Sequence, residues 1–311
     1  FMPRYDPERA ELSTRDRVAL AAETEIRSGR GTPNGGVWLD VSHLPEEQIL
    51  ERLPRVYHLL LELQMRDITR DPIEVAPTAH YSMGGVWVRP EDHSTDVAGL
   101  YAIGEAASGL HGANRLGGNS LIELLVYGRI TAQAAAAYAD SLEAQPRAHE
   151  AERIASAEID RVLSLQGHEN VRALQRAVRN VMSRAAGVVR DEAGLRAGLE
   201  ELDAIQGRVG DLGVHPDLAG HQDAVHAFDL FGMILSARAT LDCALERRET
   251  RGCHNRSDFP ELDEGPLANL VWSMDPITGN RTVEREPVPP VPEDIARQMR
   301  TDIPLEGKFV E

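Results

Sequence analysis

The sequence has 311 residues, 42% of them hydrophobic, and a formal net charge of −17. This length allows two compact domains or parts of two, and the negative charge argues against nucleic-acid binding, which requires a basic surface. We expect neither a leader nor a membrane span, because no run of about 18 apolar residues is found, and the two cysteines, Cys243 and Cys253, favour a reducing, cytoplasmic setting over a disulfide framework.

The first part of the chain alternates helical and extended patterns. A helix is predicted over residues 13–28, with Ser13 or Thr14 as its N-cap. A short strand over residues 37–41 follows a glycine-rich turn. A second helix is predicted over residues 46–65, entered through a proline.

Residues 71–128 are rich in glycine and small side chains. A buried strand is predicted over residues 100–103, and a long, mostly apolar helix over residues 119–139. Because such a helix is normally buried, we expect it in the core of an α/β domain.

Residues 148–249 predict a helical bundle, because apolar residues recur at the spacing of one helix face. After residue 251 the sequence is rich in proline, with a strand pair predicted at residues 270–274 and 281–283. The predicted faces of the bundle helices are Val171, Leu174, Val178, Val181 and Ala185, then Leu195, Leu199, Leu202, Ile205 and Val209, then Val225, Phe228, Phe231 and Leu235.

The most informative stretch is HGANRLGGNSL, which runs from His111 to Leu121 between the predicted strand and the long predicted helix. A glycine-rich loop brings backbone close to a ligand, and a helix N-terminus offers unpaired N–H groups and a positive dipole end. Such a site suits the anionic ring of a reduced flavin, and Glu105, at the end of a strand, is of the type that binds ribose hydroxyls. A purely structural turn is the alternative, but Arg115 and the number of glycines favour a ligand site.

Several runs resemble one known family. They are LYAIGEAASGLHGANRLGGNSLIELLVYGR at 100–129, HYSMGG at 80–85, Thr14-Arg15-Asp16, and RGCHNRSDFPE at 251–261. Together they resemble the succinate dehydrogenase/fumarate reductase flavoprotein family, which includes L-aspartate oxidase. No GxGxxG motif follows a strand, so the resemblance implies that the family's N-terminal FAD-binding half is missing, and we interpret Phe1 as a cut through a longer protein.

The resemblance implies a fold of the class α/β plus α. Residues 1–78 would be the C-terminal part of a capping domain, and residues 79–140 the returning segment of an FAD-binding α/β domain. Residues 141–250 would form the helical bundle, and residues 251–311 a C-terminal tail.

The implied activity is interconversion of succinate and fumarate by hydride transfer at flavin N5. Arg15 matches the arginine that exchanges a proton with the substrate carbon, and it would act as a relay, because the pKa of arginine exceeds about 12. His80 and Arg115 match the pair that grips a substrate carboxylate, onto which a guanidinium forks. His111 is interpreted as a brace of the loop, and no metal site is predicted. The implied FAD contacts are Glu105, Asn119, Ser120 and Leu121.

The implied partners are a C4 dicarboxylate, the N-terminal half with most FAD contacts, membrane anchor subunits and an iron–sulphur subunit. The partner subunits would hold the flavoprotein at the cytoplasmic face of the cell membrane. L-Aspartate oxidase is an alternative, although the long tail after Arg251 favours the succinate dehydrogenase group. A second alternative is a non-catalytic fragment or interaction module.

Overall fold

The structure is a computed structural model that describes residues 1–143, 149–215 and 222–297. The described chain divides into two compact units, the first Phe1–His80 and the second beginning at Tyr81. The division lies close to the predicted end of the capping segment at residue 78. The second unit includes the returning segment, the bundle and the tail.

The first unit is organised around α1 (Arg15–Glu25), which continues into a π-helical turn, Ile26–Arg30. Glu25 is buried and accepts hydrogen bonds from Arg30 at 2.7 and 2.9 Å and from the hydroxyl of Tyr5 at 2.6 Å. The hydrogen bonds from Arg30 and then Tyr5 lower the pKa of Glu25 to about 2. The carboxylate thus ties the N-terminal turns to the end of α1.

The rest of the first unit contains a strand pair and two short helices. Strand β1 (Val37–Leu39) pairs antiparallel with β2 (Ile73–Val75). The single helix predicted over residues 46–65 is wrong, because α2 (Glu46–Arg52) ends before Pro54, which begins α3 (Pro54–Gln64). Proline lacks the N–H that a continuous helix would use, but it suits a first helical turn.

The returning segment carries little regular sheet among its described residues. The predicted strand at residues 100–103 is wrong, because only Tyr101 forms a bridge, antiparallel to Ser94. Helix α4 (Asn119–Asp140) confirms the long predicted helix. Its expected burial is wrong in this structure, because Leu121 is 69% exposed and Leu125 is 78% exposed. No sheet of described strands packs on this face.

The bundle consists of α5 (His149–Leu163), α6 (Val171–Ala185), α7 (Glu192–Arg208) and α8 (Gln222–Glu246). A two-residue parallel pair, β3 (Glu169–Asn170) and β4 (Leu212–Gly213), closes one end. All five residues predicted for the face of α6 are buried, as are three of those predicted for α7. The bundle and these two faces are therefore confirmed.

Helix α8 packs through a face that differs from the predicted one. Val225, Phe228 and Leu235 are exposed, whereas Leu230 and Ile234 are buried. Apolar residues surround most of α8, so periodicity alone does not select the buried face. The buried face also contains small residues that permit close helix packing: Ala227, Ala237 and Ala244.

By length and composition α8 also meets the criteria for a membrane span, contrary to the expectation that no segment would. Core helices of bundles pass the same test, and Leu230, Ile234 and Leu241 of α8 are buried in the bundle core.

The tail contains an antiparallel hairpin, β5 (Ala268–Met274) and β6 (Arg281–Pro287), which confirms and lengthens the predicted strand pair. The indole N–H of Trp272 donates to Asp242 of α8 at 2.8 Å. The indole N–H of Trp87 donates to Glu286 at 3.0 Å. The hairpin therefore joins the bundle to the returning segment. The short helix α9 (Glu293–Ala296) follows it.

Candidate active site

The glycine-rich loop leads directly into the N-terminus of α4. Gly118 precedes the helix with a φ of 84°, a conformation that glycine adopts without strain. The space beside Gly117 and Gly118 is open to at least 4 Å from the position of a Cβ atom. The positive dipole end of α4 is therefore accessible to a ligand. Two of its first N–H groups, those of Asn119 and Leu121, donate at 3.3 Å to the carbonyls of Leu116 and Gly118.

Arg115 lies in this loop and is held by a ring instead of a carboxylate. Its guanidinium carbon lies 4.6 Å from the centroid of the Tyr81 ring, a cation–π contact. One guanidinium nitrogen donates to the carbonyl of Leu116 at 3.1 Å. Its Nε atom is buried and has no hydrogen-bond partner within the described residues. The arrangement leaves donors of a half-buried cation for an incoming anion.

Beneath Arg115, three side chains form what we term the Glu123 cluster: Glu123, Tyr81 and His111. One carboxylate oxygen of Glu123 accepts from the Tyr81 hydroxyl at 2.9 Å and contacts Nε2 of His111 at 2.7 Å. The Tyr81 and His111 rings meet edge to face with centroids 5.4 Å apart. Burial, and then the hydrogen bond to Glu123, raise the pKa of Tyr81 to about 12. Tyr81 therefore stays a neutral donor.

The segment at residues 251–261 packs against the glycine-rich loop. The backbone N–H of Cys253 donates to the carbonyl of Ala113 at 2.9 Å, and its thiol contacts Asn114 at 3.1 Å. Gly252 has a φ of 59°, and a Cβ atom there would lie 2.1 Å from the Ala113 carbonyl oxygen. Only glycine fits this approach, which explains one residue of the RGCH run in structural terms.

Buried polar contacts fix this supporting segment to the bundle. Arg256, fully buried, binds Asp258 at 2.7 Å and donates to backbone carbonyls at the end of α8. Arg190 donates to Nδ1 of His254 at 3.0 Å, while Nε2 of His254 contacts the carbonyl of Arg247 at 3.1 Å. Burial, and then the charge of Arg190, lower the pKa of His254 to about 4. His254 is therefore neutral near pH 7.

Glu105 lies in a 3-10 turn, Gly104–Ala106, that follows the extended residues. Its side chain is exposed, and one carboxylate oxygen accepts from the backbone N–H of Ser82 at 2.8 Å. The carboxylate thus holds the HYSMGG run while remaining at the surface.

Arg15 and His80 belong to the first unit and are both exposed. Arg15 is the first residue of α1, where a cation faces the positive end of the helix dipole at a cost of about 0.3–1 kcal/mol. Helix formation therefore does not explain this arginine. Among the described residues, His80 is the last of the first unit.

The structure brings together, within the second unit, five of the predicted site residues: Glu105, Arg115, Asn119, Ser120 and Leu121. Tyr81 and Glu123 were not predicted from the sequence, although both lie inside runs that carry the family resemblance. The acidic residue inside an otherwise apolar helix start, four positions after Asn119, was the available signal for Glu123.

Comparison with known proteins agrees with this geometry. The family model described as an FAD binding domain matches residues 1–121, and the model described as the fumarate reductase flavoprotein C-terminus matches residues 175–301. One subunit of the CoM/CoB fumarate reductase of Methanothermobacter marburgensis is 41% identical over 264 residues, covering 84% of this chain and 47% of that protein.

Two further matches extend the comparison. A mitochondrial succinate dehydrogenase [ubiquinone] flavoprotein subunit of Xenopus laevis is 36% identical over 280 residues, covering 85% of this chain and 42% of the relative. A chain of E. coli quinol fumarate reductase superposes with a TM-score of 0.82 at 30% identity, covering 96% of this chain and 51% of that chain. The chain thus spans about half the length of the curated relatives that it matches.

The matches first define a class, the FAD-binding oxidoreductase flavoproteins. Within that class, the chain belongs to the succinate dehydrogenase/fumarate reductase flavoprotein family. The predicted family and the predicted cofactor, FAD, are confirmed.

The residues present fit one end of a flavin. The open backbone at Gly117 and Gly118 and the positive dipole end of α4 lie beside an exposed apolar side chain, Leu121. The carboxylate of Glu105 is of the type that accepts hydrogen bonds from ribose hydroxyls.

Proposed function

We propose that the complete flavoprotein interconverts succinate and fumarate, and that this chain supplies cations that bind the dicarboxylate. The observation that carries the proposal is Arg115, a half-buried guanidinium that no described carboxylate neutralises and that lies beside the accessible start of α4. A planar guanidinium binds a carboxylate through two parallel hydrogen bonds.

FAD, when bound by Glu105, Asn119, Ser120 and Leu121, supplies the two-electron chemistry. Arg115 and His80 then bind and polarise a substrate carboxylate, which makes the carbon atom β to that carboxylate more electrophilic. Arg15 moves the proton that the substrate carbon gains or loses. The exposure of Arg15 and its unfavourable position at the start of α1 support this role, since α1 does not need a cation there.

The proposed partners are those that the family resemblance implies. We propose that the N-terminal half of the flavoprotein supplies the remaining FAD contacts. An iron–sulphur subunit would exchange electrons with the flavin, and membrane anchor subunits would hold the assembly at the cytoplasmic face of the membrane. The net charge of −17 is compatible with a basic partner surface.

Two other functions remain as outcomes of the test. L-Aspartate oxidase activity would use a similar clamp for a C4 dicarboxylate that carries an amine. A non-catalytic interaction module would need the bundle but not the cations of the loop.

The test is a comparison of substrates with the complete flavoprotein that contains this chain. Turnover is measured with fumarate and a reduced dye, with succinate and an oxidised dye, and with L-aspartate and dioxygen. The proposal expects turnover with fumarate and succinate. Turnover with L-aspartate alone identifies the oxidase, and flavin without turnover on any of the three supports the non-catalytic module.

A further inference from the structure

We propose that the Glu123 cluster positions Arg115 for carboxylate binding, with Glu123 and Tyr81 acting as positioning residues that do not touch the substrate. This inference rests on the proposed function, because it assigns the cluster a role at the same carboxylate-binding site. It identifies two residues to which the sequence patterns assign no role.

The burial of Glu123 requires an explanation. Its side chain is 2% exposed, and His111 beside it is 7% exposed. Burying a carboxylate is costly unless hydrogen bonds satisfy it, and here a single oxygen carries both the Tyr81 and the His111 contacts. An apolar side chain would fill the same position without that cost. The buried carboxylate is therefore explained by its role in orienting a neighbouring side chain.

What Glu123 orients is the ring beneath the guanidinium. Its bond to the Tyr81 hydroxyl and the edge contact with His111 fix the Tyr81 ring from two directions. The face of that ring lies against Arg115 at 4.6 Å. In the sequence, Tyr81 directly follows His80, and His111 belongs to the loop of Arg115.

A cation–π contact with Tyr81 suits a substrate-binding arginine better than a salt bridge does. A carboxylate placed directly on Arg115 would occupy the donors that a dicarboxylate must use. The π face of Tyr81 holds the cation without taking a hydrogen-bond donor. A hydrogen bond from the phenol to Glu123 also pushes electron density into the ring, which strengthens its attraction for the cation. Arg115 is thus oriented while its charge remains available.

The experiment measures the dissociation constant of malonate, an unreactive dicarboxylate, in the complete flavoprotein, through the change in flavin absorbance. The variants are Tyr81→Phe, Tyr81→Leu, Arg115→Lys and the Tyr81→Leu/Arg115→Lys double variant. Tyr138→Leu is the matched control, because Tyr138 lies near the C-terminal end of α4, where its ring packs beside Gly99.

Tyr81→Leu should weaken malonate binding about tenfold, since it removes the ring beneath the cation. Tyr81→Phe should weaken it by no more than about threefold, because the ring stays and only the hydroxyl is lost. In the Arg115→Lys background, Tyr81→Leu should add less than about twofold, because side chains that act through each other are not additive. Tyr138→Leu should leave the dissociation constant unchanged.

Two results would overturn the inference and leave the proposed function intact: Arg115→Lys weakens malonate binding but Tyr81→Leu does not, or the two effects add fully. If Arg115→Lys itself leaves malonate binding unchanged, the carboxylate-binding site and the inference both fail. If the Tyr81→Leu variant does not retain flavin, Tyr81→Phe replaces it in the double-variant comparison. The inference is then overturned if Tyr81→Phe weakens malonate binding equally in the wild-type and Arg115→Lys backgrounds.

Discussion

At the scale of single residues, the position of a charge distinguishes a functional side chain from a structural one. Glu25, Arg30 and Arg256 are charged residues whose partners explain them. Arg15 differs, because it is exposed at the wrong end of a helix for a cation, and no hydrogen bond or ion pair is found for its side chain among the described residues. A residue that costs stability where it stands is a candidate for function.

The role of Arg15 predicts a separation of rate from binding. Arg15→Ala should lower kcat for fumarate reduction by at least about 10³-fold, while the dissociation constant of malonate changes little, because a group that acts in the transition state contributes little to ground-state binding. Arg55→Ala, which removes an exposed arginine near the start of α3, is the matched control and should leave both values unchanged. If Arg15→Ala weakens malonate binding but preserves kcat, Arg15 is a carboxylate ligand and the proton comes from another group.

Most of the site residues predicted from the sequence lie close together along the chain. Arg115, Glu105 and the start of α4 lie in one contiguous run, so the pattern alone placed them at one loop and one helix end. Tyr81 and Glu123 could not be assigned in this way, since their role depends on a contact between residues 42 positions apart. Such contacts are set by tertiary packing, which spacing along a single chain does not encode.

Among the elements of the bundle, α6, α7 and α8 pack closely where they meet. Gly198 of α7 has no room for a side chain, because a Cβ atom would lie 2.6 Å from the Cβ of Ala185 and 3.1 Å from a methyl of Leu241. Gly207, in the same helix, faces open space. One helix therefore provides a glycine required by packing and a glycine that is not.

Alanine at these two positions should have opposite effects on the purified chain. Gly198→Ala should lower the free energy of unfolding by about 1–3 kcal/mol, because overpacking exceeds the gain in helix propensity. Gly207→Ala should raise it by up to about 1 kcal/mol. Urea unfolding of both variants is the measurement. Equal stabilisation by the two alanines would show that the helices are not packed this closely.

His254 predicts a pH dependence of stability. Its pKa is about 4 in the folded chain and near 6.5 in the unfolded chain, so between these values the unfolded chain binds the extra proton. The free energy of unfolding should therefore fall as the pH is lowered from about 6.5 to about 4, by roughly 3 kcal/mol in total from this group. His254→Gln should show a smaller loss between pH 6.5 and pH 5 by urea unfolding. An equal loss in both proteins would assign the pH dependence to other groups.

The elements also show where periodicity fails as a guide. The faces of α6 and α7 were predicted because polar residues separate their apolar positions, whereas α8 is apolar on most sides and the wrong face was selected. Pro54 signals the boundary between α2 and α3 in the sequence, but the helical pattern on both sides of it favours one continuous helix. The predicted strand at residues 100–103 depends on neighbouring strands that the described chain does not provide.

At the scale of the whole molecule, α4 carries an apolar face without a cover in the described chain. Its exposed members are Leu121, Ile122, Leu124, Leu125 and Val126. Exposed patches of this kind mark an interaction surface. The relatives are about twice as long as this chain, and we expect the remaining part of the flavoprotein to cover this face.

The division of the FAD contacts predicts weak cofactor binding by this chain alone. In the proposed site, the residues of the loop and of the start of α4 would contact one end of FAD, whereas a glycine-rich strand–turn–helix motif for the pyrophosphate is absent from the sequence. We expect a dissociation constant above about 10 μM for the isolated chain, measured by quenching of flavin fluorescence. Nanomolar binding by the isolated chain would contradict this division, and the complete flavoprotein serves as the positive control.

The proposed carboxylate clamp of a fumarate-reducing flavoprotein can be tested by the reoxidation of its reduced flavin. The complete flavoprotein is reduced without oxygen and mixed rapidly with fumarate, while the return of the oxidised flavin absorbance is followed and succinate is quantified. We predict rapid return of the absorbance with one succinate formed per flavin, and a rate at least about 10²-fold lower in Arg115→Lys, on the order of 3 kcal/mol in the barrier. No return with fumarate, or a return within about threefold of wild type in Arg115→Lys, would contradict it.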